Sequence, residues 1–531
     1  MPENPRTVAR NNHQRGGKAA DVVTEPEDLA TGIETEVKFA TTPEGLEQAF
    51  ISPQLGGGLA SRTRSLRSVY FDTPQCELHL QGVTLRVRKS AGASPVMTVK
   101  MLANRDAGPF QRREIEVRMV GLTPDLKFFD ADLTKHLLRI TGGKTLEAQF
   151  ETRVKRRTRQ LDIDGAAIEV AFDAGMIVTP GGAELPICEI ELELKSGEAR
   201  ALYEFAARAA ASLPFRLDAV AKSERGFRLK NGGAPHAVKA KTLALPPATT
   251  QGQLVNAVIT ASLTQFTANW APLLETDETE PVHQLRVSLR RLRSALKIFD
   301  QILCNDGFGE VRAEARRIAT AFGEARALDA LRETMAQGPM LNSIRPEGFE
   351  ALMATLDQRR ALAYDQARTT ITDTATTLFV LKLQALLSRH SWQDSAALAR
   401  EFASQALDKL LARARKRGRK LPQRSDAERH QLRIALKDLR YAIEFFAGLF
   451  GRAGKAGEYL SRLAALQDIL GTHNDRVTSE KLLLDISTGC ESAVVRAAGY
   501  VDGWLARAIP GSDQSLEPAW NAFKVLKPFW R

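Results

Sequence analysis

From Ile33 to about Lys230, apolar and polar residues alternate with a period of two in several short runs: IETEVKF, VTLRVRK, REIEVRM, AAIEVAFD and ICEIELELK. Side chains two apart share one face of a strand, so the pattern predicts β-strands. Beyond residue 250 the period changes. Leu and Ala recur at helical spacing there, and all five tryptophans (Trp270, Trp392, Trp504, Trp520, Trp530) lie in this part. Residues 231–250, NGGAPHAVKAKTLALPPATT, are rich in Gly, Pro, Ala and Thr and read as a linker. Residues 1–30 are polar, hold little that could be buried, and read as a disordered arm. The expected fold is α+β and multidomain: an arm (1–30), a strand-rich domain (31–230), a linker (231–250) and an all-α domain (251–531).

The polar faces of the strands are sorted by charge. Glu34, Glu36 and Lys38 share a face, as do Arg86 and Arg88, Thr98 and Lys100, and Arg112, Glu114 and Glu116. Glu169 pairs with Asp173 in the same way, and Glu189, Glu191 and Glu193 form a carboxylate ladder. One such segment is an ordinary solvated face, but six within 200 residues call for another explanation. Carboxylates about 4–7 Å apart repel by roughly 2–4 kcal/mol at an effective dielectric near 20. A closed, charged interior relieves this with metal ions or with Arg and Lys. The expected architecture is a barrel with a charged lumen, its apolar outside covered by helices such as 199–213. The acidic side would take a divalent metal through hard oxygen ligands. The basic side would take a polyanion, with arginine forks on phosphate oxygens.

Composition sets limits on this picture. The 531 residues are 44% hydrophobic and 26% charged, as in ordinary globular proteins. No apolar run reaches the roughly 18 residues of a membrane span, and the N-terminus lacks the apolar segment of a secretory signal. Cys76, Cys188, Cys304 and Cys490 are too far apart for a zinc knuckle, a CxxC pair or a disulfide framework. A cytoplasmic location is expected. The 74 basic residues exceed the 63 acidic ones, leaving a net charge of +11 that suits an anionic partner. There is no P-loop and no Ser/His/Asp set in the strand-rich part, so covalent catalysis is the weaker idea.

In order, Glu34-x-Glu36-x-Lys38, YFDTP, VTLRVRK, the Lys100 strand, QRREIE, FETRVKRR, FDAG, ICEIELELKSG and AKSERGFRL span nearly all of 33–230. Together they resemble the CYTH superfamily of triphosphate tunnel metalloenzymes. The resemblance implies an eight-stranded antiparallel β tunnel, with Mg²⁺ or Mn²⁺ as cofactor. It implies catalysis by Glu34, Glu36 and Lys38, and phosphate contacts from Lys38, Arg86, Arg88, Lys100, Arg112 and Lys222. Metal coordination would come from Glu34, Glu36, Asp173, Glu189 and Glu191. The strand around 152–158 also supplies an arginine. Parity groups Arg153 with Lys155 and Arg157, and Arg156 with Thr152; either set could face inward, and Arg153 and Arg157 are the candidates carried forward.

The helical part contains a repeat. His-Gln-Leu-Arg-Val-Ser-Leu-Arg-Arg-Leu-Arg at 283–293 returns as His-Gln-Leu-Arg-Ile-Ala-Leu-Lys-Asp-Leu-Arg at 430–440, an offset of 147 residues. Gly323 and Gly471, read as helix ends, are offset by 148. These landmarks predict a duplicated helical bundle. His283, Arg286, Arg290, Arg293 and Lys297 form one helical stripe, and His430, Arg433, Lys437 and Arg440 form another. Like charges at this spacing cost a few tenths of a kcal/mol each, so a duplicated stripe points to an anion that joins it. The run RARKRGRK at 413–420 is read as a solvated face. The pattern resembles the CHAD domain over about 251–531, which implies polyphosphate binding by His283, Arg286, Arg290, Arg293, His430, Arg433, Lys437 and Arg440. The first copy departs from that family's usual Arg-Asp by carrying Arg326-Ala327, whereas the second has Asn474-Asp475.

The expected activity is an inorganic triphosphatase, a phosphoric anhydride hydrolase, with inorganic triphosphate and polyphosphate as partners. A polyphosphate-binding protein with little turnover, a thiamine triphosphatase and an adenylyl cyclase are the alternatives. No RNA-binding signature or aromatic stacking series accompanies the basic helices.

Overall fold

A computed structural model describes residues 28–102, 108–303, 307–389, 397–507 and 512–531. The expected arm lies outside them, except that residues 28–30 open the first strand. The strands are β1 (Asp28–Ala40), β2 (Arg62–Asp72), β3 (Thr84–Ser90), β4 (Val96–Leu102), β5 (Gln111–Arg118), β6 (Glu147–Ile163), β7 (Ala166–Val178), β8 (Glu184–Ser196) and the short β9 (Arg216–Leu217). All pairings are antiparallel in the order β5-β4-β3-β2-β6-β7-β8-β1. β1 also pairs with β5, Glu34 opposite Arg112, so eight strands close into a barrel and leave no edge. β9 adds two residues beside Phe39 and Ala40.

Five helices accompany the barrel: α1 (Pro43–Ile51), α2 (Glu77–Leu80), α3 (Ala131–Thr141), α4 (Ala199–Ser212) and α5 (Lys222–Asn231). Outward-facing Val37, Phe39, Val170, Phe172, Ile190 and Leu192 pack under α1 and α4. The opposite side of the barrel buries Leu85, Val87, Val99, Ile115 and Val117 against Leu133 and Leu137 of α3.

Beyond residue 250 the elements among the described residues are helical: α6 (Gln251–Ala268), α7 (Trp270–Glu275), α8 (Glu280–Ile298), α9 (Asp300–Leu303), α10 (Phe308–Ala321), α11 (Gly323–Ala336), α12 (Phe349–Thr372), α13 (Thr374–Leu387), α14 (Ala399–Arg417), α15 (Asp426–Phe446), α16 (Ala453–Ser487), α17 (Ser492–Arg507) and α18 (Ser512–Lys524), with short 3₁₀ turns between. Gly471 does not end a helix. It sits inside the continuous 35-residue α16, whereas its counterpart Gly323 stands at the break between α10 and α11.

The barrel and the helices share one apolar core, because α4 packs on the barrel with one face and on α13 with another. Of the expected linker 231–250, Asn231 ends α5 and Thr250 forms an isolated antiparallel bridge with Leu398, and residues 232–249 have no regular structure but are tied down. The Asn269 side chain accepts from Val238 N and donates to Val238 O, both at 2.9 Å, and Leu245 and Thr249 are buried. Among the described residues no helix is long and apolar enough to cross a membrane.

Candidate functional site

The period of two sends one face of every barrel strand inward. Around a cavity of about 280 Å³ lie Glu34, Glu36 and Lys38 of β1, Arg86 and Arg88 of β3, and Lys100 of β4. Glu114 and Glu116 of β5, Arg156 of β6, Glu169 and Asp173 of β7, and Glu191, Glu193 and Lys195 of β8 complete the wall. The first turn of α5 adds Lys222 and Ser223. An apolar plug fills part of the lumen behind them. Tyr70 stacks on Phe150 at 4.5 Å, and Phe227 of α5 meets Phe150 edge-on at 5.2 Å. Gly226 permits this approach: a Cβ there would lie 2.1 Å from the Phe150 ring.

Almost every lumen charge has an opposite partner. Lys222 Nζ touches Asp173 Oδ2 (2.8 Å), Glu191 Oε1 (2.6 Å) and Glu189. Arg156 forks onto both Asp173 oxygens at 2.6 and 2.7 Å and also reaches Glu191, while Arg225 holds Glu189. Across the lumen Lys100 binds Glu34 at 2.6 Å and lies 3.3 Å from Glu114, which Arg86 approaches at 3.2 Å. Lys195 pairs with Glu193 at 2.6 Å. Burial opposes the charges of Asp173 and Glu191, yet Lys222 and Arg156 hold both carboxyls below their usual range. Burial likewise opposes the charge of Lys222, but Asp173, Glu189 and Glu191 hold its pKa well above the ordinary value.

Three lumen residues are exceptions: Lys38 donates to the Val220 carbonyl and forms no ion pair among the described residues, and Glu36 and Arg88 also stand apart. Glu36 forms no ion pair among the described residues, and burial, with Glu191 and Glu34 nearby, pushes its carboxyl up to about 8. Arg88 donates to the Ser68 hydroxyl at 3.3 Å and forms no ion pair among the described residues. Burial, then Arg86 and Arg156, lower its pKa to about 10.

One oxygen each from Asp173, Glu189 and Glu191 lie within 4.8 Å of one another, and all three residues are buried. Lys222 already gathers them around one cation. Three hard carboxylate oxygens this close together fit a divalent metal ion.

The helical region holds a second charged cavity, about 290 Å³ in volume. His283, Arg286 and Arg290 of α8 face Arg433 and Lys437 of α15 across it, with Arg326 of α11 and Asp475 of α16. Leucines behind each stripe (285, 289, 292 and 296; 432, 436 and 439) are fully buried. Further pairs lock α8 to α15. Arg291 meets Glu444, and Lys297 meets Asp438 at 2.7 Å. Under the 147-residue repeat Arg291 corresponds to Asp438 and Lys297 to Glu444, so the two bridges are symmetry mates of reversed polarity. The paired glycines lie beside paired arginines: a Cβ on Gly323 would crowd Arg286 Nη1 at 3.0 Å, whereas one on Gly471 would make ordinary contact with Arg433 Nη2 at 3.8 Å. In this cavity burial and mutual repulsion both act against charge. Arg286 is lowered to about 10 by burial, then Arg290 and Arg326.

Comparison with known proteins follows this geometry. The family model described as CYTH domain matches residues 32–227, and that described as CHAD domain matches 257–484. The chain carries a CYTH domain followed by a CHAD domain. An uncharacterised Mycobacterium tuberculosis protein is 26% identical over 506 residues, covering 87% of this chain and 90% of that protein. A Haemophilus influenzae protein named inorganic triphosphatase is 31% identical over 206 residues, 37% of this chain and 54% of that one. The crystal structure of the CHAD domain from the plant Ricinus communis is 27% identical, covering 55% of this chain and 98% of that one at a TM-score of 0.49.

The structure gathers most of the expected CYTH residues around one lumen, with corrections. Arg153 and Arg157 point outward. Arg153 is bound to Glu151 and largely exposed, and Arg157 is held by Glu47 over the Phe50 ring. Arg156 is the inward arginine, because Thr152 and Val154 share its face of β6. Arg112 lies outside the main cavity, in an adjoining one of about 130 Å³ with Phe110 and Asp218. The five expected metal-binding carboxylates form two groups, Asp173 with Glu189 and Glu191, and Glu34 with Glu36.

In the CHAD domain His430 is exposed and does not line the cavity. Arg440 turns away to Glu444 and Gln467, and Arg293 lies beyond the cavity toward Arg316. Arg225 was not anticipated, although its place three residues after Lys222 on a helix puts it on the same face.

Proposed function

We propose that the CYTH lumen hydrolyses inorganic triphosphate to pyrophosphate and phosphate, using Mg²⁺ or Mn²⁺, and that the CHAD cavity binds inorganic polyphosphate. The limits 31–230 and 251–531 for the two domains belong to this proposal. The observation that carries it is the lumen's division of labour. Asp173 and Glu191, which cluster with Glu189, line the same 280 Å³ cavity as Glu36, Arg86, Arg88 and Lys100. Metal bound at the carboxylates would neutralise phosphate oxygens and lower the pKa of a bound water. Arg86, Arg88, Lys38 and Arg156 then orient the phosphate chain and compensate the charge that develops on transfer. Glu36 accepts the proton of the attacking water at its carboxylate oxygen. The name of the Haemophilus influenzae relative supports the choice of substrate. The lining supports it too. Its one aromatic side chain, Tyr70, is already stacked on Phe150 and offers no free face to an adenine or thiamine ring.

Phosphate release from inorganic triphosphate, ATP and thiamine triphosphate, with Mg²⁺, Mn²⁺ or chelator, tests the reading. The expected result is metal-dependent release, fastest from inorganic triphosphate. Equal rates with chelator, or a preference for ATP, would overturn it.

A further inference from the structure

We propose that the CHAD cavity binds polyphosphate together with one proton, and that Lys437 takes the proton up. The inference rests on the reading of this cavity as a polyphosphate site. Its basis is the composition of the wall. α8 contributes His283, Arg286 and Arg290, α11 Arg326, α15 Arg433 and Lys437, and α16 the one carboxylate, Asp475. Arg293 and Arg316 add further positive charge beyond the rim. Asp475 lies 3.8 Å from Arg433 and is the one carboxylate among the described lining residues, so the cavity holds more cationic charge than its own wall neutralises, unlike the lumen.

The two repeats contribute unequal halves. Arg290 of the first copy corresponds to Lys437 of the second, and Ala327 to Asp475. An arginine keeps its charge at any physiological pH, whereas a lysine can release it. Lys437 is thus the outlet for repulsion in the ligand-free cavity. Burial first, then Arg290 and Arg433, push its pKa down to about 6, against the weaker pull of Asp475. A polyanion between the stripes reverses the balance and makes the ammonium the favoured form. The proton must then come from solvent, so affinity rises as pH falls. For one proton the change is about tenfold per pH unit. Burial and Arg326 also lower His283, whose exchange therefore lies at lower pH.

The test is titration calorimetry on the full chain with polyphosphate of defined length, in chelator near pH 8.5. Two buffers of different protonation enthalpy give the number of protons exchanged. Wild type is expected to take up about one proton. Lys437→Arg is expected to bind with uptake near zero and an affinity flat between about pH 7.5 and 9. Lys437→Gln should bind more weakly, also without uptake. Any binding to the lumen is common to all three proteins and cancels in the comparison. Binding of wild type without proton uptake, or uptake that survives in both variants, would overturn the proposal while leaving the polyphosphate site intact. Absence of any binding would overturn the site and the proposal together.

Discussion

The CYTH lumen and the cavity between the two CHAD stripes have nearly the same volume, about 280 and 290 Å³, but opposite internal balance. In the CYTH lumen Lys222 and Arg156 are surrounded by Asp173, Glu189 and Glu191, and Lys100 by Glu34 and Glu114. In the CHAD cavity six basic residues face one carboxylate. A balanced site is rigid without ligand, because each charge orients its neighbour, and its ligand must exchange for existing partners. An unbalanced site stores repulsion, and its ligand relieves it. The first arrangement suits positioned chemistry and the second suits capture.

Removing a cation should therefore have opposite effects in the two places. The largest change is expected for Arg156→Met. It leaves the buried Asp173 and Glu191 to share Lys222, with one buried carboxylate charge uncompensated, and losing one partner of a buried pair costs about 3–5 kcal/mol. Urea unfolding should show this as a lower midpoint, together with loss of triphosphate hydrolysis. An unchanged midpoint would mean that the lumen is not held together by its pairs.

Next comes Glu36→Gln, which keeps the shape and removes the unpaired carboxylate. A fall of roughly 10²–10³-fold in kcat/KM with triphosphate is expected, with no loss of Tm. The same variant isolates a pH effect. The ordinary value for this group is 4.5, and in the fold it is about 8. The folded state therefore holds the proton more tightly than the unfolded chain does. That contribution is complete below about pH 4.5 and is lost as pH rises through about 8. In chelator, wild type should lose Tm relative to Glu36→Gln between about pH 5 and 8. Parallel curves would show that the carboxyl is not perturbed.

In the CHAD cavity, Arg286→Ala with Arg433→Ala should weaken polyphosphate binding about 10–100-fold and flatten its dependence on salt, since fewer counterions are released. Filter retention across a salt series measures both. Equal effects from alanines at Arg413 and Lys416, on the exposed face of α14, would mean that net charge, not the cavity, does the binding. The smallest effect is the most diagnostic. Arg290→Met should leave the ligand-free protein as stable or more stable by about 0.5 kcal/mol, because it removes a repelling charge. A clear loss of stability would show that the cavity's cations have partners after all.

The lumen's inner faces were legible wherever one face of a strand was charged and the other apolar. Glu34, Glu36 and Lys38 opposite Val37 and Phe39 left one solution, since a one-residue slip would bury the charges in the core. Residues 152–158 defeated that logic. Both faces of β6 carry cations there, and only the register with β2 and β7 placed Arg156 opposite Asp173. Periodicity also gave the two CHAD stripes, because a helix fixes which residues share a face. It could not say which end of each stripe faces a cavity. His283 lines one, whereas its copy His430 is exposed, since the packing around the two helices differs.

The sequence by itself determined the elements and which side chains share a face, because these depend on local backbone periods of two and 3.6. Tertiary structure alone decided which faces meet. Closing β1 onto β5 turned six charged strand faces into one lumen, and α5 carried Lys222 and Arg225 into its carboxylates from beyond the last long strand. Packing α8 against α15 joined two stripes 147 residues apart. Charge balance is a property of such meetings. No local pattern encodes it, because each charge is compensated or left exposed by residues distant in the chain.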